Sequence, residues 1–138
     1  MLKIAILALF TGVFPVLLNA QSTLVKKSAQ SAAEEKTETF QVVGNCGMCK
    51  SKIEKAALGA GVTKANWDTD TDQLSITFDP AKVSTDAVQQ AIARVGYDNA
   101  GYKAPDEAYD GLHGCCKYDR SERPETAKPL PAATAPKQ

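Results

Sequence analysis

Thr39-Phe40-Gln41-Val42-Val43-Gly44-Asn45-Cys46-Gly47-Met48-Cys49-Lys50-Ser51-Lys52-Ile53 is the stretch in which the hydrophobic rhythm of this chain changes. Phe40 and Val42 fall two residues apart, which reads as a half-buried strand ending at Gly44. Beyond the glycine, Cys49, Ile53, Ala56 and Ala60 recur at helical spacing, with Lys50, Lys52, Glu54 and Lys55 on the other faces. A helix is therefore expected from near Met48 to Gly59 or Gly61.

The same alternation of periods continues downstream. Residues 62–67 and 74–78 read as two strands joined by the polar turn 68–72, with Leu74, Ile76 and Phe78 alternating against Ser75 and Thr77. Pro80 breaks the run. Ser84 can cap a second helix that has Asp86 in its first turn and a buried stripe of Val88, Ala91, Ile92 and Val95. Gly96 ends that helix, and a last short strand fits residues 100–103. The order is strand, helix, strand, strand, helix, strand. It predicts an α+β, ferredoxin-like βαββαβ fold, in which an antiparallel four-stranded sheet carries both helices on one face.

The flanks have a different composition. In residues 1–20, Lys3 is followed by an apolar run broken by Thr11, Gly12 and Pro15, then by Asn19-Ala20-Gln21, which is the pattern of a secretory signal peptide cut near Ala20. A membrane anchor would need about 20 uninterrupted apolar residues, so no membrane span is expected after cleavage. Residues 21–36 offer only Leu24 and Val25 to bury and read as a flexible leader. Residues 37–104 form the single domain and 105–120 a Cys-rich appendix. Residues 121–138, with Pro124, Pro129, Pro131 and Pro136, read as a disordered Pro/Ala-rich tail.

The intact chain balances 16 basic against 16 acidic side chains, and losing Lys3 with the signal peptide leaves a net charge near minus one. Nothing there favours nucleic acid or an anionic membrane, and the aromatic residues show no stacking pattern for bases. Export implies a periplasmic or secreted location, an oxidising space where paired cysteines usually close into disulfides. A disulfide-stabilised exported module is therefore the alternative to any function of free thiols.

Cys46 and Cys49 sit where the first strand hands over to the first helix. Free backbone N–H groups and the positive end of the helix dipole favour thiolate over thiol there. Thiolate pairs suit soft ions such as copper(I) and mercury(II), and zinc if further ligands close its shell. Gly44 and Gly47 leave the backbone free to turn, and Lys50, Lys52 and Lys55 are either counter-charges for a dithiolate or a solvated helix face. Met48 is either a further soft neighbour of the ion or a filler of a core gap.

A second cluster, His113-Gly114-Cys115-Cys116, follows the domain. Vicinal cysteines close on each other only through a strained ring. The appendix either folds back to add His113, Cys115 or Cys116 to the ion held by Cys46 and Cys49, or the four cysteines form structural bridges, with an independent site on the appendix as a third reading. A catalytic use of Cys-x-x-Cys, as in thiol–disulfide oxidoreductases, lacks the proline loop that would face the cysteines. No other catalytic constellation is present, so an enzyme is not expected. Asp68, Asp70 and Asp72 imitate half of a calcium loop, but Gln73 stands where it needs glycine.

The segment from Val43 to Ile53, with Gly61-Val62, Phe78-Asp79-Pro80, Ala91-Ile92 and Gly96-Tyr97, resembles the heavy-metal-associated domain family. That family includes copper chaperones, metal-binding domains of copper-exporting ATPases and a periplasmic mercuric-ion binding protein. The resemblance implies that Cys46 and Cys49 are metal ligands, that Tyr97 lies beside them, and that copper(I) is the leading cargo. It also implies a metal-transporting ATPase or another metal-binding protein as partner. Two departures stand out. The family's Gly-Met-Thr-Cys start is shortened to Gly44-Asn45-Cys46, and one residue, Asn99, is inserted before the last strand.

Overall fold

A computed structural model describes residues 34–130 of the chain. Residues 1–33, which hold the expected signal peptide and most of the expected leader, and residues 131–138 lie outside them. The first strand, β1, runs Lys36–Gln41 and begins three residues earlier than its apolar alternation suggests, because its first half pairs through backbone and a Thr37–Thr77 hydroxyl contact at 3.1 Å rather than through apolar side chains. Helix α1 spans Gly47–Gly59, β2 Lys64–Trp67, β3 Gln73–Phe78, and α2 Thr85–Arg94. β3 lies between β1 and β2, antiparallel to both, with Phe40 opposite Leu74 and Trp67 also opposite Leu74 from the other side.

Each element is explained by its local chemistry. The turn before β3 is closed by Asp68, whose carboxylate accepts hydrogen bonds from the backbone of Asp70 and Thr71 and from the Thr71 hydroxyl, which accounts for the polar run without any cation. Ser84 caps α2 by accepting from the Ala87 N–H at 3.2 Å. Leu74, Ile76 and Phe78 share one face of the sheet and meet Ile53 and Ala57 of α1 and Val88 and Ile92 of α2 in a single core. The buried stripes differ slightly from the periodic reading. Ala57 rather than Ala56 or Ala60 is fully buried on α1, and Val95, past the end of α2, is exposed.

The described sheet has three strands, not four. Residues 98–100 come alongside β1, with Val43 N–H donating to Asp98 O and Ala100 N–H to Gln41 O, both at 2.9 Å, but the pairing stops at one bridge between Val42 and Asn99. The buried side chain of Asn99 is the reason. Its Oδ1 accepts from the N–H groups of Gly101 and Tyr102 at 3.1 Å, bending the chain off the sheet edge after a single pair. The Asn99 side chain thus holds a turn where a strand was expected.

Past that turn, β4 (Tyr102–Lys103) pairs in parallel with β5 (Lys128–Pro129) instead of with β1. The described part of the tail therefore runs along β4, with none of its residues buried. Thr126 donates to Ala100 O at 2.9 Å, and the Lys128 ammonium lies over the Tyr102 ring. An unpaired strand edge left by the Asn99 turn is satisfied by the returning chain. Between β4 and β5 lie the short helix α3 (Asp106–Asp110) and 3₁₀ turns at Gly114–Cys116 and Arg120–Glu122. Among the described residues, no helix is long and apolar enough to cross a membrane.

Candidate metal centre

Cys46 is the N-cap residue of α1, in extended conformation, and Cys49 lies in the first turn. No side chain caps this helix, so its first N–H groups face the Cys46 sulfur. The N–H of Cys49, the Cys49 thiol and the N–H of Met48 together pull the Cys46 pKa down to about 7. Cys49 is fully buried, and burial raises its pKa despite a favourable N–H from Asn45. The pair thus joins a nucleophilic, accessible sulfur to a protected one, 3.6 Å apart.

Gly44 is a glycine for a reason other than turn freedom. A Cβ there would lie 2.9 Å from the indole of Trp67, which is buried beneath the loop and donates from Nε1 to Val42 O at 2.9 Å. Gly47 has open space around it. Lys50 does not serve the sulfurs either: it binds Asn66 Oδ1, the Trp67 carbonyl and Glu54, tying α1 to β2. Lys52 and Lys55 are solvent-exposed.

The appendix packs against this loop. Tyr118 is buried, its ring stacked on Tyr97 and edge-on to Tyr109. Its hydroxyl accepts from the Asp98 N–H at 2.7 Å and donates to Gly96 O at 2.9 Å. Arg120 grips the fully buried Asp98 carboxylate with Nε and Nη2 at 2.9 and 2.7 Å. Gly96, at φ +101°, admits the appendix closely, since a Cβ there would meet Ala108 O at 2.7 Å. Asn45 reaches across to Lys117 O at 3.0 Å.

This clasp brings Cys116, fully buried, to the loop, and the sulfurs of Cys46, Cys49 and Cys116 all lie within 4.8 Å of one another. Three sulfurs each about 2.3 Å from one ion stand about 4 Å apart, so the spacing matches a three-sulfur shell. All four cysteines are free. Cys115 is exposed, its sulfur 4.0 Å from that of Cys116 and close enough to Cys46 to help lower the pKa of that thiol, with His113 beside it. Tyr97 is buried next to the thiols, and its hydroxyl lacks a hydrogen-bond partner. Burial, with the neighbouring sulfurs of Cys116 and Cys49, raises its pKa. A buried donor left over beside sulfur is fitted to a thiolate that carries charge. Met48 is 46% exposed and fills no gap in the core.

Tyr118, Asp98 and Arg120 are the contributors that local reading missed. They carry no motif, and Asp98 and Arg120 are joined across 22 residues of sequence.

Comparison with known proteins places this site. The sequence model of the heavy-metal-associated domain matches residues 39–98 and so ends before the appendix. A copper chaperone, CopZ of Staphylococcus aureus, is 38% identical over 63 residues, which are 44% of this chain and 93% of the chaperone. A zinc-transporting ATPase of Synechocystis is 39% identical over 71 residues, half of this chain but only a tenth of the ATPase. Oxidized MerP from Ralstonia metallidurans CH34 is 33% identical, with a TM-score of 0.45 over 47% of this chain and 93% of that structure. A relative matched over nearly its whole length, in the segment that carries the paired cysteines, decides the assignment: the chain belongs to the heavy-metal-associated domain family.

Proposed function

We propose that this protein is an exported carrier of a soft metal ion, copper(I) before mercury(II) or zinc, held between the thiolates of Cys46, Cys49 and Cys116. The observation behind this reading is the convergence of three sulfurs, one of them delivered by a segment outside the family match. Copper(I) is content with two or three thiolates, whereas zinc in a closed site takes four ligands. A zinc-transporting relative makes metal competition the deciding measurement.

A third, buried ligand changes the kinetics expected of the carrier. Two exposed thiolates exchange an ion readily with an incoming thiol. Here a partner thiolate enters from the Cys46 side, the least buried of the three, and Cys49 and Cys116 must then be displaced from the core. The protein therefore suits sequestration or slow, partner-assisted delivery, with a metal-transporting ATPase or another metal-binding protein as acceptor. The amino-terminal signal pattern supports periplasmic or secreted residence, which N-terminal sequencing of the exported protein tests through cleavage near Ala20.

Anaerobic copper(I) titration against a competing chelator, with X-ray absorption to count sulfur neighbours, tests the site. Three sulfurs are expected in the native protein and two in Cys116→Ser, with faster extraction by the chelator. Full retention of binding in Cys46→Ser refutes the proposal.

One observation favours a second reading. A low-pKa exposed cysteine three residues before a buried one is also the asymmetry of thiol–disulfide exchange. Reduction of a mixed disulfide at a rate set by Cys46, without any copper uptake, would favour it.

A further inference from the structure

Two further soft donors flank the Cys115 sulfur, outside the inner sulfur triad. The Cys115 sulfur lies 3.2 Å from His113 Nδ1, 3.9 Å from the Met48 sulfur and 4.0 Å from the Cys116 sulfur. Met48 comes from the first turn of α1, while His113 and Cys115 come from the 3₁₀ turn of the appendix, so the cluster exists only because the clasp has closed. A sulfur and an imidazole nitrogen bound to one ion at about 2.3 and 2.0–2.1 Å stand roughly 3.5–3.8 Å apart, and two sulfurs about 4 Å. The sulfur–sulfur separations are of this size, and the sulfur–nitrogen one is a few tenths of an ångström shorter.

His113 also caps the 3₁₀ turn, accepting from the Cys115 N–H at 3.5 Å, but the other two have no packing role. An apolar side chain of this length usually fills irregular core space, yet Met48 is nearly half exposed. Cys115 is exposed while its neighbour Cys116 is buried, although their sulfurs lie 4.0 Å apart. Thiolate, thioether and imidazole together select soft or borderline ions and offer little to magnesium or calcium.

We propose that Met48, His113 and Cys115 form a second, surface-facing site for a soft cation, one sulfur away from the inner site. Binding exchanges the Cys115 S–H bond for a sulfur–metal bond and releases one proton, with no change of oxidation state. The proposal rests on the inner site being a metal site, and it sets the capacity of the protein at two ions rather than one.

The test uses the full mature chain, reduced and free of air, loaded with excess copper(I) supplied as its acetonitrile complex and then passed through a desalting column. Two equivalents of copper are expected on the native protein and one on Cys115→Ser or on His113→Ala combined with Met48→Leu. The methyl resonance of Met48 should move between the first and second equivalents rather than during the first. One equivalent on both native and Cys115→Ser proteins overturns the second site, leaving His113 and Cys115 as a hydrogen-bonded pair. Two equivalents on both overturns it as well. Retention of no copper by the native protein overturns the inner site and the second site with it, whereas a single native equivalent that is lost in Cys46→Ser and kept in Cys115→Ser overturns the second site alone.

Discussion

Both cysteine pairs of this protein split into a buried and a more accessible sulfur, but by different geometry. In Cys46-Gly47-Met48-Cys49 the three-residue offset bends around a helix start, so both sulfurs reach the same place from different depths. Cys115 and Cys116 are adjacent on a 3₁₀ turn, and their sulfurs, 4.0 Å apart, differ in depth. Cys116 enters the core, and Cys115 joins Met48 and His113 outside. A spacing of three gathers ligands, whereas a spacing of one distributes them between two environments.

The largest expected effect breaks the first pair. Cys49→Ser should weaken copper(I) binding by more than about 100-fold in chelator competition, since even a hydrogen-bonding neighbour of a ligand is commonly worth roughly 10–100-fold. Loss of affinity should be nearly as large for Cys46→Ser and smaller for Cys116→Ser, because two sulfurs then remain.

Undoing the clasp that delivers the second pair comes next. Arg120→Met leaves the fully buried Asp98 carboxylate without its cation, and breaking a buried pair from one side costs about 3–5 kcal/mol. Tyr118→Ala removes a buried ring and costs a similar amount, about 3–5 kcal/mol. Urea unfolding should register both losses. Copper released from Arg120→Met should resemble copper released from Cys116→Ser, because the third sulfur is no longer held.

A smaller effect sharpens the contrast of depth within the first pair. Alkylation of Cys46 by iodoacetamide in the apo protein should rise with pH through a midpoint near about 7, as its proton is lost. Cys49, whose pKa burial raises, should stay unreactive well above that pH. Peptide mapping after brief labelling at stepped pH separates the two. Labelling of Cys49 first would reverse the assignment of the exposed and protected ligands.

The smallest change is Tyr97→Phe. The apo protein should be unchanged or slightly stabilised, by about 1 kcal/mol, because the deleted hydroxyl has no partner to lose. If that hydroxyl turns to a thiolate once the ion is bound, the variant loses roughly tenfold in copper affinity. Equal affinity would leave Tyr97 a packing residue.

The alternation of Leu74, Ile76 and Phe78, the Ser84 cap and the helical spacing of Cys49 and Ile53 were legible because each reports a neighbour within a few residues. The fourth strand was not. Residues 100–103 have strand character, but the side chain of Asn99 outcompetes the sheet edge for their N–H groups. The same limit applies at the site. Cys46 and Cys49 announce themselves by spacing, while the role of Lys50 in holding β2 depends on where Asn66 and Trp67 lie after folding.

By itself the sequence determined the order of elements, the location of the cysteine loop at a helix start and the softness of the donors, since these follow from local periodicity and side-chain chemistry. Only the tertiary structure decided which sulfurs meet. Cys116 reaches Cys46 and Cys49 because Tyr118 packs on Tyr97 and Arg120 finds Asp98, contacts across about twenty residues. Such long-range contacts form only when their combined burial and charge pairing outweigh the entropy of closing the loop between them, a balance no local pattern records.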